Sequence, residues 1–369
     1  MKNKIFLILI LFFPFQIIFS QNIQNEENTK FLWNADFSTF LDNQEFAKSD
    51  FIKDKTLGGV NIMPQVEISW SGYNYSKAEN SVFAGVNLLK EFGTQKVIDK
   101  TTLIIFYKNK IYLKNNWTQS FYAGIFPRGR LFSNYSDLLF WQPLNNYMPV
   151  IQGLYYEIRQ NKTFANAWID WTGKPSTTVN ESFYAGLSGR ANLKSYFIDF
   201  QGYYFHFANT EPKNPDFHLC DNGQALLRIG YDLFLQEQKI KFTVSAGAMA
   251  GYENERGVDN QKFMPIGFVA NIDFRISNFG INNLLYAGDK RLRLYQKYGE
   301  QLYRANPFLQ GNFYLQSEIY WQPFNTQTIN GKIGLITHVS QGKVMFEQRF
   351  VLSIFLRNFE NLHFVRADY

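Results

Sequence analysis

Four histidines, His206, His218, His338 and His363, and a single cysteine, Cys220, carry the readiest metal-binding and nucleophilic chemistry in the chain. The histidines lie far apart, without the His-x-x-x-His spacing that sets two imidazoles side by side. One cysteine allows neither an intrachain disulfide nor a cysteine-based zinc site. For nucleophilic catalysis the nearest candidates are Ser182 or Ser188 with His338, and Asp216 beside His218. No Gly-x-Ser-x-Gly, His-Glu-x-x-His or phosphate-binding glycine-rich loop supports either set. His206 shares its phase with Tyr204, opposite Asp199 and Gln201, and reads as a residue at a membrane interface. No enzymatic activity, cofactor or metal site is expected on these grounds.

The most distinctive segment is Asp289–Pro307. It holds Lys290, Arg291, Arg293, Lys297 and Arg304, interleaved with Tyr295, Tyr298 and Tyr303. Arg128 and Arg130 sit in another long connection. Three roles fit such a loop. It balances acidic lipid headgroups in solvent; it folds inward and narrows a pore, where guanidinium groups attract anions; or it meets lipopolysaccharide phosphates or a partner protein. Leu292, Leu294 and Leu302 make it partly apolar, which favours folding onto something.

Any of these roles depends on the elements that hold the loop. From residue 31 the recurring pattern is alternation, the mark of strands with one apolar face. Phe31–Leu41, Val60–Trp70, Ser182–Ala191, Gln238–Tyr252, Ile266–Ile276, Phe313–Trp321 and Val344–Leu356 show it most clearly. Weaker candidates are Ser81–Lys90, Thr101–Tyr107, Trp117–Phe126, Val150–Arg159, Phe164–Trp171, Tyr196–Ala208, Ala225–Phe234, Gly280–Ala287 and Lys332–Val339. That predicts about sixteen strands, within a range of about 14–18. One strand per ~20 residues is too sparse for a soluble sandwich, which repeats at ~8–12, and suits a membrane strand of ~9–11 residues plus a connection. Short connections are expected at 109–110, 161–162, 236–238 and 341–343, and long ones at Asp42–Thr56, Pro127–Met148, Asn209–Gly223 and Asp289–Pro307.

The two faces differ in chemistry. Glu67, Asp199, Arg228, Asp232, Asp273, Arg275, Glu318, Glu347 and Arg349 all fall opposite an apolar face. A water-filled lumen accepts such charges, whereas a dry core would not. Trp33, Trp70, Tyr107, Trp117, Trp171, Tyr252 and Trp321 fall at strand ends, where amphipathic rings form girdles at the headgroup level.

Composition agrees. Aromatics make up 18% of the 369 residues, which suits pleated strands. A mean hydropathy of −0.27 is incompatible with a polytopic helical membrane protein. Residues 1–20 have the form of a signal peptide: Lys2 and Lys4, then the apolar run Ile5–Phe13, then Ser20 at the cleavage point. Its removal leaves 35 of 37 cations against 31 acids, a net charge of +4, too mild to suggest nucleic acid. An exported chain without disulfides points to a Gram-negative source. The Asn-x-Ser/Thr triplets, such as those at Asn74 and Asn180, are what an Asn-rich chain contains by chance.

The signal peptide, length, dyad repeat, aromatic placement and the final Tyr369 resemble Gram-negative outer-membrane β-barrels of the porin size class. The phrases at 40–46, 125–130, 170–173 and 302–308 are similar to uncharacterised Bacteroidetes barrels. The resemblance covers essentially all of the mature chain. Arg366 and Asp368 depart from the usual terminal strand, so the last strand is expected to stop near Leu356. The expected architecture is a 1–20 signal peptide, a short 21–30 segment and one closed antiparallel transmembrane barrel over 31–369. The resemblance implies passive passage of small hydrophilic solutes. The alternatives are a non-conducting partner barrel in a larger outer-membrane assembly and, third, a barrel enzyme. Implied partners are outer-membrane lipid, lipopolysaccharide and other proteins of such an assembly.

Overall fold

A computed structural model describes residues 29–71, 77–129, 135–141, 146–215, 218–235, 237–257 and 262–358. The expected signal peptide lies outside them. Sixteen antiparallel strands form one closed barrel in which each strand pairs with its sequence neighbours and β1 pairs with β16. The strands are β1 (Lys30–Glu45), β2 (Lys55–Ser71), β3 (Lys77–Glu91), β4 (Lys100–Tyr112), β5 (Thr118–Pro127), β6 (Val150–Gln160), β7 (Thr163–Gly173) and β8 (Ser182–Leu193). They continue as β9 (Tyr196–Phe207), β10 (Cys220–Leu235), β11 (Ile240–Glu255), β12 (Ile266–Ile276), β13 (Phe279–Gly288), β14 (Phe313–Asn325), β15 (Ile329–Ser340) and β16 (Lys343–Arg357). Closure leaves no unpaired edge, the condition for strands to stand in lipid.

Alternation decides which side chains face out. In β12, Ile266, Phe268, Ile272, Phe274 and Ile276 are exposed, while Gly267 and Val269 are buried. Trp33, Trp321, Phe279 and Tyr196 are exposed near the end where the chain enters the barrel, with Phe279 stacked on Trp321. Trp171 and Tyr204 mark the opposite end. These two levels are the girdles that amphipathic rings prefer.

In a meander of this kind every even-to-odd connection lies at the end where β1 begins. Those connections are short, as at 161–162, 194–195 and 277–278. Short turns mark the periplasmic end. The odd-to-even connections at the other end include 46–54, 128–149, 208–219 and 289–312. One of them is tight: Gln341 and Gly342 have φ of 53° and 71°, the left-handed pair of a two-residue hairpin between β15 and β16.

Three boundaries differ from the sequence expectation. Asn109 and Lys110 are not a turn but the interior of β4, opposite Asn80 and Glu79. Tyr107 and Asn109 both donate to Asn80 Oδ1, at 2.6 and 2.8 Å, so polar pairing carries the strand on to Tyr112. The Asp42–Thr56 loop shrinks to 46–54, because Asp42, Gln44 and their neighbours continue the ladder as polar strand residues. Similarly β10 begins at Cys220 rather than after Gly223.

The faces give a sharp test. Arginine at Phe268, Leu352 or Ile354 faces lipid and is expected to impair folding strongly, since charge at mid-bilayer costs about 2–4 kcal/mol. Arginine at Asn271 or Ser353 faces inward and is expected to be tolerated. Heat-modifiable gel mobility reads the difference, and equal tolerance at both sets would contradict these faces.

Candidate functional site at the long-loop rim

The lumen has two zones. Towards the long-loop end it is filled by two connections that turn inward. From 128–149, Tyr135 donates through its hydroxyl to Leu187 O at 2.9 Å and accepts from Trp168 Nε1 at 2.9 Å. Ser136 N donates to Gln201 Oε1 at 2.8 Å. From 289–312, Leu292 N and Arg293 N donate to the Glu253 carboxylate at 2.7 and 3.0 Å, and Tyr303 Oη donates to it at 2.6 Å. Asn222 Nδ2 donates to Leu302 O at 2.9 Å. The two loops also hold each other, Trp141 N donating to Arg304 O at 2.8 Å and Asn306 N to Leu138 O at 3.2 Å. Leu138, Leu139, Trp141, Phe308 and Leu309 form one apolar cluster with wall residues such as Ile151, Tyr184 and Tyr286. Burial and dense wall contacts make this a packed plug.

Arg291 shows what became of the basic segment. It is 1% exposed. Its Nε donates to Tyr286 Oη at 2.9 Å, its Nη1 to Gln224 Oε1 at 2.6 Å, and its Nη2 to Met249 O and to Pro265 O at 3.2 Å. Lys297 pairs with Glu255 at 2.7 Å. Arg293 lies over the Phe263 ring at 5.6 Å. Lys290 is exposed and Arg304 half-buried in the plug. Arg128 is buried against Asp170, with which it forms an ion pair, and Arg130 lies outside the described residues. The segment therefore enters the barrel, yet Arg291 and Arg128 bind walls rather than border open space.

Towards the periplasmic end the inward face is polar, and its charges are mostly matched across strands. Arg228 grips Asp199 with two hydrogen bonds, at 2.9 and 3.1 Å. Arg190 and Thr243 donate to Asp232 at 2.5 and 2.9 Å. Lys332 pairs with Glu318 at 2.8 Å and Lys241 with Asp273 at 3.8 Å. Ser81 donates to Glu67 at 2.7 Å, and Arg275 to Gln322 at 3.4 Å. Nearer the plug, Glu347 pairs with His338 at 3.0 Å and with Arg349. His338 and Glu347 are fully buried, with Phe308 and Phe46 beside the imidazole.

The serine pairings considered from sequence do not assemble. Ser188 Oγ donates to Asn166 at 2.9 Å and Ser182 Oγ meets Thr172 Oγ1 at 2.8 Å. Both serines stand on β8, whereas His338 stands on β15. Asp216 and His363 lie outside the described residues. His206 keeps the outward phase expected for it, but its partner was not foreseen: Asp221 on β10, at 2.8 Å.

A different constellation opens outward at the rim. Gln348, Asn43 and Thr56 are register partners on β16, β1 and β2. Thr56 Oγ1 donates to Asn43 Oδ1 at 2.8 Å, and Asn43 Nδ2 donates to Gln348 Oε1 at 2.6 Å and Glu45 Oε1 at 3.1 Å. Asn43 and Thr56 of this row line a cleft of about 610 Å³. Glu45, Asp54, Lys48 and Lys55 bring charges of both signs to it, and Val344 and Phe346 add an apolar border on the lipid face. The cleft thus joins polar groups to a greasy wall at one height. Sequence reading missed it because its residues come from two ends of the chain and were assigned partly to a loop.

Fold and rim together define a porin-like outer-membrane barrel with a filled upper lumen. Among solved structures it is similar to Pseudomonas aeruginosa OpdL, with 12% identity and a TM-score of 0.50, over 89% of this chain and 99% of that one. It is also similar to Acinetobacter baumannii OccAB4, with 9% identity and a TM-score of 0.48, over 89% of this chain and 99% of that one. No curated protein matches the chain. A family profile described as lipid A 3'-O-deacylase-type matches residues 23–359. The chain belongs to the lipid A 3'-O-deacylase-type family, and its place is the Gram-negative outer membrane. This overturns the expectation of a non-enzyme. The sequence carries no local signature of an enzyme for a physical reason: a barrel gathers side chains at one height from separate strands.

Proposed function

We propose that the protein hydrolyses an acyl ester of a lipid A-type glycolipid in the outer leaflet, working at the outward cleft of β16, β1 and β2. The observation that carries this reading is the cleft itself, in which a fixed polar row meets lipid-facing Val344 and Phe346. Family membership supports the reaction class. An acyl chain would lie along the apolar border with its ester at the polar row. Asn43 anchors one oxygen of Glu45, leaving the other to take a proton from the attacking water and return it to the sugar oxygen as the acyl C–O bond breaks, giving a free fatty acid and a sugar hydroxyl. Lys48 supplies positive charge for the developing oxyanion or for sugar phosphates, beside Lys55, which pairs with Glu300 at 3.5 Å. The substrate enters sideways from lipid, so the filled lumen is no obstacle.

The test is mass spectrometry of lipid A after incubating lipopolysaccharide with the purified barrel in detergent. Loss of one fatty acyl chain is expected. Glu45→Gln should slow that loss by roughly 10²–10⁴-fold, the usual weight of a general base. Intact lipid A with folded wild-type protein, or a Glu45→Gln variant as active as wild type, would remove this reading. The competing reading, passage of small hydrophilic solutes, needs both inner loops to leave the lumen, and single-channel recording addresses it directly.

A further inference from the structure

On the wall opposite the cleft, four strands bring unlike side chains to one height. Trp171 pairs in register with Phe183, Phe183 with His206, and His206 with Asp221, across β7, β8, β9 and β10. All four have the outward phase near the long-loop end. Trp171 and Phe183 lie with ring centroids 5.3 Å apart, and Phe183 and His206 5.2 Å apart. The row is a continuous aromatic shelf ending at a carboxylate.

A carboxylate on the lipid-facing phase needs compensation. Asp221, 2% exposed, accepts from Tyr204 Oη at 2.6 Å and from Arg256 Nε at 2.8 Å. A carboxylate only accepts, so the His206 Nδ1 beside it carries a hydrogen and donates. Arg256 uses Nε and Nη2 on Asp221. The Arg256 side chain is 53% exposed and that of His206 20%. Asp221 therefore acts as an internal brace. It orients a guanidinium edge and an imidazole nitrogen outward beside the shelf, at the level of the outer headgroups.

We propose that this shelf and its Asp221-braced guanidinium form a second lipid site, which binds the phosphorylated sugar headgroup of an outer-leaflet glycolipid. Flat aromatic faces suit the apolar faces of sugar rings, and the outward guanidinium suits a phosphate. β9 stands eight strands from β1, so the site is separate from the cleft and holds a boundary lipid whether or not the cleft is hydrolytic.

The test uses the full-length barrel, bisphosphorylated lipid A in detergent micelles, and native mass spectrometry. Each of Arg256→Gln and Trp171→Ala should weaken lipid A retention roughly tenfold, the loss of one charge-assisted contact. The same loss should appear in a Lys48→Ala/Lys55→Ala background, which separates this site from the cleft. Wild-type protein should retain phosphatase-treated lipid A as poorly as Arg256→Gln retains the phosphorylated form. Excess inorganic phosphate should fail to displace the lipid. If Arg256→Gln does not fold, Trp171→Ala and the phosphatase comparison still decide. Unchanged retention by the folded variants would overturn the proposal. So would displacement by inorganic phosphate with no effect of Trp171→Ala, which would mark a site for free anions.

Discussion

Arg291→Ala is expected to turn a sealed barrel into a conducting one. In planar bilayers the wild-type protein should show no steady current, because the two inner loops pack against the wall and against each other across the lumen. Arg291 is a heavily bonded side chain of that plug, joining the 289–312 loop to β10, β11 and β13. Truncation leaves the Gln224 amide oxygen without its donor and takes the guanidinium away from the Met249 carbonyl, while Pro265 O keeps the Gly251 N–H at 2.8 Å. At about 1–3 kcal/mol for each buried polar group left unsatisfied, the loop loses one of its main anchors to the wall. The sixteen-strand ladder does not depend on this residue, so heat-modifiable mobility should persist while channel events appear. Arg291→Glu should go further, placing a carboxylate near Glu253, which already serves as an acceptor for the same loop. A mutant as silent as wild type would mean that the plug does not rest on Arg291. Porin-like current through the wild type would mean that the inner loops leave the lumen in a membrane, and would favour solute passage.

Glu347→Ala should be the most destabilising single change in the wall itself. Glu347 is fully buried and pairs with both His338 and Arg349. His338 Nδ1 in turn meets Tyr314 Oη at 2.8 Å, and Asn306 of the plug donates to that hydroxyl at 3.1 Å. Removing one member of a buried charged group costs about 3–5 kcal/mol, because its partners stay buried without compensation. Urea unfolding in lipid vesicles measures the loss. Glu347→Gln keeps the hydrogen-bonding shape and should lose less. An alanine variant as stable as wild type would show that water reaches Arg349 and His338 and solvates them.

The strand pattern was legible because it is local. A period of two needs only the alternation of Cβ directions along one segment, so β12 appears in the sequence with the boundaries it has in the barrel, and the last strand stops within a residue of Leu356. The boundaries that moved, at Asn109 and at Asp42–Glu45, are those where polar side chains continue a ladder. There the deciding bonds run to other strands, to Asn80 and to Gln348.

The site was less legible for the same reason carried further. Asn43 and Gln348 lie 305 positions apart, and His206 meets Asp221 only because β9 and β10 pair in one register. The basic loop announced itself by composition, yet its charge did not tell where its cations end up. Arg291 became an internal brace because four acceptors from three other strands and a loop converge on it. Sequence by itself determined an exported, all-β chain with one greasy and one polar face, since each follows from side-chain types at fixed local spacing. Tertiary structure alone decided that the upper lumen is filled and that outward polar groups gather at the rim, because closing the sheet fixes which distant residues share one height.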